Sequence, residues 1–277
     1  MGAPPSQFRV VDGLDAHLRD EGPRDDTLPI LLLHGTSSSL HTWEWWTADL
    51  SRSRRVITVD MPGFGLTGPD AHDDYRAARY TRFAAALLDS LRIARAIVGG
   101  NSFGGGVAWS LALDHPAKVA ALILVDATGY PTPSVSVPIG FRLARNRVLA
   151  PLLRSILPRR IVRSSIENTY GDPARVTERQ VERYEAITRR AGNRRALSIR
   201  FSQANYAARI DEVSRIHVPT LILWGDRDRL IPVESSERLH TAIAGSTLVR
   251  FPSLGHIPQE EDPAATLVPV RRFLGLP

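Results

Sequence analysis

Gly100-Asn101-Ser102-Phe103-Gly104 places one hydroxyl at the centre of a Gly-x-Ser-x-Gly turn. Small and apolar residues (Ala94, Ala96, Ile97, Val98) lead into the turn, and helical spacing (Val107, Ala108, Leu111, Ala112) follows at once. Strand, sharp turn, helix is the order that exposes a serine hydroxyl above a sheet, and glycines flank it because side chains there would meet the neighbouring strand and helix. Ser102 is therefore the candidate nucleophile. A hydroxyl needs a base, an acid that orients the base, and donors for the oxyanion. The chain offers Asp226 and Asp228 after one later apolar run and His256 after the next, with His34, Asp60 and Asp126 at the ends of earlier runs.

The runs that must position these groups alternate with helical patterns. Ile30 to Leu33 is apolar throughout and too short for a helix, as expected of a strand buried on both faces. It ends in His34-Gly35-Thr36-Ser37. There the Thr36 N–H, with the Phe103 N–H, would make a two-donor oxyanion hole, and Ser37 is the fallback. His34 reads as a residue shaping this loop rather than as the base. Arg55 to Asp60 is the next strand, and Asp60 reads as a cap on the backbone of the turn-rich loop Met61 to Gly68 rather than as the acid. Tyr80 to Leu91 has helical spacing, and Val119 to Val125 is a strand ending at Asp126.

This alternation predicts an α/β fold with a doubly wound, mostly parallel sheet of about eight strands, whose ligands bind beyond the carboxyl ends. His34, Asp60, Ser102 and Asp126 are then expected to line one crevice. Phe8 to Val11 and Ala16 to Arg19 read as an edge hairpin around Asp12-Gly13. His41, Trp43, Trp45 and Trp46 are expected in the core and the pocket wall.

From Tyr130 to Arg215 the rhythm breaks into proline-punctuated helical stretches, such as Thr177 to Ala191 and Leu197 to Ile210. The expected organisation is a core of residues 1–129 and 216–277 with a helical lid, 130–215, inserted. Ile139, Phe141, Leu143, Leu149, Leu152, Leu153, Ile156 and Leu157 are expected to roof an acyl-sized pocket. The formal charge is +6 and concentrates here, with 16 Arg against five acids between Arg142 and Arg209. Most should form a solvated face, whereas one turned inward would select anionic substrates, and a basic face could touch acidic lipid headgroups. Lys118 is the single lysine among 35 basic residues, which argues against a nucleic-acid surface. Without cysteine there is no thiolate nucleophile or disulfide, and no apolar run reaches the roughly 18 residues of a membrane span. The start lacks the pattern of a signal peptide. A cytoplasmic location and a small-molecule partner are expected, and a homodimer is compatible with the chain. No metal-ligand spacing, phosphate loop or dinucleotide fingerprint occurs, so no cofactor is expected.

The strand after the inserted segment, Thr220 to Trp224, runs into Gly225-Asp226-Arg227-Asp228, and the last, Thr247 to Phe251, into Gly255-His256. The chain order Ser, Asp, His is thereby complete. His34-Gly35, Asp60-x-Pro62-Gly63-x-Gly65, Gly100-x-Ser102-x-Gly104, Gly225-x-x-Asp228-x-x-x-Pro232 and Gly255-His256 resemble the α/β-hydrolase superfamily over nearly everything outside the lid. The resemblance implies that Asp228 is the triad acid and Asp226 braces its loop, with Asp126 where some relatives carry the acid instead. It further implies that His256 relays the proton of Ser102.

Serine at the nucleophile position argues against the epoxide hydrolases and haloalkane dehalogenases, which need aspartate there. Val98 to Gly106 and Asp60 to Gly65 look like the hydrolases that cleave carbon–carbon bonds in ring-cleavage products. Those enzymes usually carry a glycine-rich loop where this chain has Thr36-Ser37-Ser38-Ser39, and a tryptophan where it has Ile257. The expected activity is hydrolysis of mostly apolar carboxylic esters. The alternatives are carbon–carbon hydrolysis of meta-cleavage-type dienones and, in a different class, a small-molecule binding or signalling protein that keeps the triad without turnover.

Overall fold

Apolar runs of four residues form strands only where both faces of a sheet are covered, and the molecule meets that condition. A computed structural model describes residues 5–131, 133–146, 157–203 and 205–277. The strands are β1 (Ser6–Val11), β2 (Leu14–Glu21), β3 (Ile30–Leu33), β4 (Val56–Val59), β5 (Ala96–Asn101), β6 (Val119–Val125), β7 (Thr220–Gly225) and β8 (Thr247–Phe251). They form one eight-stranded sheet in the order β1-β2-β4-β3-β5-β6-β7-β8. The hairpin β1–β2 joins β4 antiparallel, and every other pairing is parallel.

Alternation along the strands sorts side chains into two layers. Leu31, Leu33 and Val98 pack with α2 (Ala77–Ser90) and α3 (Phe103–Asp114), through Tyr80, Phe83, Val107 and Trp109. Ile30, Leu32 and Ile97 face the other way, onto Trp43, Trp46 and Leu50 of the segment leading into and through α1 (Glu44–Leu50). Trp45 departs from the expectation. It lies on the outer face of α1 and is 55% exposed, because Trp43 and Trp46 already occupy the helix positions that meet the sheet.

Between β6 and β7 the described residues form no strand. They carry α4 (Ile139–Arg145), α5 (Arg159–Glu167), α6 (Glu178–Arg189) and α7 (Asn193–Gln203), then a 3-10 helix, Ala207–Arg215. A capping box of Thr177 and Gln180 starts α6. The helix expected over Leu197 to Ile210 is two elements. Gly192, with φ +87°, turns the chain, and the Asn193 side chain donates to the carbonyls of Gly65 and Ile187, so α7 begins four residues early. Phe141 and Leu157 border a cavity, whereas Ile139 is 43% exposed because α4 turns it to solvent. Leu149, Leu152, Leu153 and Ile156 lie outside the described residues. Exposed and half-buried arginines of this segment pair with acids, Arg159 with Glu185, Arg163 with Glu178 and Arg195 with Asp73. Arg200 of α7 instead points inward.

Two loops beyond the strand ends are fixed by buried polar groups. Asp60 accepts from the N–H groups of Leu40 (2.8 Å) and Leu66 (2.7 Å), and from His17 Nδ1 (2.7 Å). Burial alone would raise this carboxyl, but the His17 bond, the charges of His34 and His17 and the Leu40 N–H outweigh it and hold it below the ordinary value. His34 Nδ1 donates to the Gly35 carbonyl, and its Nε2 accepts from the Met61 N–H at 3.0 Å. Replacing Asp60 by Ala strands His17 and two N–H groups, so a loss of about 3–5 kcal/mol is expected in urea unfolding. The difference should persist at neutral pH and shrink as pH falls through the carboxyl's depressed value.

Candidate active site

The turn from β5 into α3 holds Ser102 at φ +54°, ψ −118°, a conformation that L residues avoid. The surroundings impose it. The Ser102 N–H donates to Val125 O (2.9 Å), and the Ser102 carbonyl accepts from Gly106 (3.1 Å) and Thr128 (3.0 Å). A side chain at Gly104 would strike the Leu33 carbonyl, and one at Gly100 the Gly104 carbonyl, so both positions need glycine for α3 to approach the sheet this closely. Asn101, just before the serine, donates from Nδ2 to the carbonyls of Val125 (3.2 Å) and His256 (2.9 Å).

His256, 4% exposed, places Nδ1 2.7 Å from Asp228 Oδ2. The other oxygen of Asp228 accepts from the N–H groups of Leu230 (2.7 Å) and Ile231 (3.0 Å). An acid so engaged fixes the imidazole tautomer, leaving Nε2 without its proton until one is transferred. Asp226 points elsewhere, to Arg250 at 2.8 Å, and braces the strand end. Glu261 accepts from Gly255 (2.7 Å), Gly171 (2.9 Å) and Asp172 (2.8 Å), and the His256 N–H donates to Thr169 O (2.7 Å). The histidine loop is thus tied to the helical segment over it.

Asp126 lies behind this pair, fully buried and with φ +45°. Its Oδ1 accepts from the Gly225 N–H at 3.0 Å, while Oδ2 is buried without a partner. Ligand atoms of Asp126, Asp228 and His256 lie within 4.8 Å of one another. Two carboxyls so close in a buried site do not both ionise. Burial pushes Asp126 well above the usual carboxylate range, and the charge of Asp228 pushes it further. Asp126 is the neutral member. The three could each offer an atom to a cation, but Asp126 Oδ1 and His256 Nδ1 are already engaged by Gly225 and Asp228.

Two cavities meet at Ser102, His256 and Thr36. One, about 120 Å³, is walled by Phe141, Leu157, Ile161, Val162 and Ile166 and is mostly apolar. The other, about 290 Å³, is polar and bordered by Phe103, Thr128, Arg145, Arg200 and Tyr206. Among the described residues, neither the Thr36 nor the Phe103 N–H donates a hydrogen bond. The expectation of one crevice needs correction. Ser102 borders the cavities, but His34, Asp60 and Asp126 are buried and line neither, held by bonds from the N–H groups of Met61, Leu40 and Gly225.

Sequence reasoning singled out Ser102, Asp228 and His256, which the fold gathers, but gave no role to Asn101, Glu261, Tyr184 or Arg200. Tyr184 borders the apolar cavity and donates to Glu260 Oε1 at 2.6 Å, while Arg183 beside it forms two 2.8 Å bonds to Glu44.

Strand order, parallel register and the turn between β5 and α3 define the α/β-hydrolase class of fold. The family described as alpha/beta hydrolase fold matches residues 29–263, and the chain belongs to it. The chain is 30% identical over 275 residues to a 2-hydroxy-6-oxo-2,4-heptadienoate hydrolase of Pseudomonas putida, covering 96% of this chain and 94% of the relative. A meta-cleavage product hydrolase from Pseudomonas fluorescens superposes with a TM-score of 0.83 at 26% identity, covering 97% of each chain. A thermophilic esterase from Thermogutta terrifontis gives 0.78 at 25% identity, covering 98% of this chain and 97% of that one.

A neutral Asp126 makes two expectations. Asp228→Asn should lower turnover about 10⁴-fold, and Asp126→Asn, whose amide can replace the carboxyl's donor and acceptor, less than about tenfold. The folded chain also holds a proton on Asp126 that the unfolded chain releases near its ordinary value of 3.8. The contribution of this group to stability should therefore fall as pH rises above its ordinary value toward the folded-state one, and the melting temperature of Asp126→Asn should gain on the wild type as pH rises from 3.8.

Proposed function

We propose that the protein hydrolyses carboxylic esters through an acyl-enzyme on Ser102, with residues 130–215 acting as the lid that sizes the substrate. The observation that carries this reading is the apolar cavity opening directly onto Ser102 and His256 beside two backbone N–H groups that donate to none of the described residues. Ser102 Oγ attacks the ester carbonyl while His256 Nε2 takes its proton. Asp228 holds the imidazole and stabilises the imidazolium that forms. The developing oxyanion lies between the N–H groups of Thr36 and Phe103, an interaction whose loss typically costs about 10²–10³ in turnover. His256 then protonates the departing alcohol, and water repeats the sequence to release the acid. The chain's own residues suffice for every step, so the reading calls for no cofactor.

Carbon–carbon hydrolysis of meta-cleavage-type dienones is the second reading, favoured by the names of the relatives at 30% and 26% identity. Against it stand the Thr36-Ser37-Ser38-Ser39 loop and Ile257, which borders the apolar cavity next to His256. Both readings use the same serine, histidine and oxyanion donors on a carbonyl, and differ in the bond broken.

Steady-state hydrolysis of p-nitrophenyl esters from acetate to dodecanoate, by wild type and Ser102→Ala, tests the proposal. Serine-dependent multiple turnover with a chain-length optimum is expected. Wild type no faster than Ser102→Ala on every ester overturns ester hydrolysis. A vinylogous diketone substrate then decides for carbon–carbon cleavage, and its failure as well would leave a binding protein.

A further inference from the structure

Arg200 is only 6% exposed, and among the described residues it makes no ion pair; the undescribed residues include no acid. Its guanidinium lies 3.9 Å from the ring centroid of Phe103 and 5.8 Å from that of Phe201. Its Nε has no hydrogen-bond partner, nor has the buried hydroxyl of Tyr206. Both side chains border the polar cavity that reaches Ser102 and His256, as does a second cation, Arg145, and no acidic residue is among its lining. Burial lowers the affinity of Arg200 for its proton, and the nearby Arg145 charge adds to that, yet a guanidinium remains charged near neutrality. Stacking on Phe103 and a side-chain hydrogen bond with Tyr80 offset part of the cost of burying the charge, but neither supplies a counter-charge, and Nε stays without a partner. A buried guanidinium with no counter-charge, bordering a cavity beside Ser102, is a site awaiting an anionic acceptor.

We propose that the polar cavity is a carboxylate subsite in which Arg200, with the Tyr206 hydroxyl, binds an acid group carried by the substrate. The favoured substrate then has an apolar arm on one side of the scissile carbonyl and a free carboxylate on the other. A planar carboxylate suits the fork of a guanidinium, and the burial of Arg200 strengthens the bond. The subsite deepens the ester reading and rests on it for the identity of the scissile bond only.

Two substrate pairs, each differing by one carboxylate, test it: p-nitrophenyl hexanoate against mono-p-nitrophenyl adipate, and phenyl butyrate against 4-carboxyphenyl butyrate. The first puts the acid on the acyl side and the second on the leaving group. Within one pair the wild type should favour the acid at least about tenfold in kcat/KM, and Arg200→Met should lower that ratio about 10²-fold, with Arg200→Lys between. The ratio is taken within each variant, so a general loss of active protein cancels. A ratio equal in wild type and Arg200→Met, or discrimination against the acid in both pairs, overturns the subsite. Calorimetric titration of Ser102→Ala with hexanoate and with hexanol, with and without Arg200→Met, reads the subsite without turnover. If no ester is hydrolysed, the ester reading falls and this titration alone decides: hexanoate binding that weakens only with Arg200→Met supports the subsite, and binding indifferent to Arg200 refutes it.

Discussion

The close approach of α3 to the centre of the sheet is the constraint on which the site depends. Gly100 and Gly104 let the helix start against β3 and β5, and the chain can make that turn only with Ser102 in a left-handed conformation. The strain is held by three backbone hydrogen bonds to Ser102 and by the burial of the whole turn. From this fixed point the other groups are measured. Asn101 reaches the carbonyl of His256, and the Phe103 N–H has no intrahelical acceptor because the residues before it are in the strand rather than in a helix.

Electrostatics then assigns the roles. Asp126 and Asp228 are chemically the same, but Asp228 has two backbone N–H groups and an imidazole to support a charge, whereas Asp126 has one N–H and an orphaned oxygen. The charge therefore settles on Asp228, next to the histidine. On the opposite side of Ser102, Arg200 presents an unpaired positive charge and Phe141 with its neighbours an apolar wall. The three environments meeting at one hydroxyl give the site a direction.

The sheet was legible because its central strands are short, almost wholly apolar and separated by turn residues, patterns that leave few alternatives. The grouping of Ser102, Asp228 and His256 was legible because each follows such a strand, and the resemblance separated Asp228 from Asp226, which the apolar runs alone did not. What was not legible depends on contacts distant in sequence. His34, Asp60 and Asp126 share with Ser102 a place at strand ends, yet only the fold shows that backbone groups hold them buried and outside both cavity linings. On helices, amphipathic spacing admits several phases, so the expected inward placement failed for Ile139 on α4 and for Trp45 on α1. Arg200 was one of 16 arginines in a basic stretch, and nothing in its local sequence distinguishes it from those that meet solvent.

The central claim is that Ser102 alone is made nucleophilic by this arrangement. Intact and tandem mass spectrometry after exposure to diethyl p-nitrophenyl phosphate tests it without assuming any natural substrate. The account predicts one diethylphosphoryl group per chain, mapped to Ser102 and absent from Ser102→Ala. An unmodified wild type, or label distributed over other serines and tyrosines at the same rate in both proteins, would contradict it.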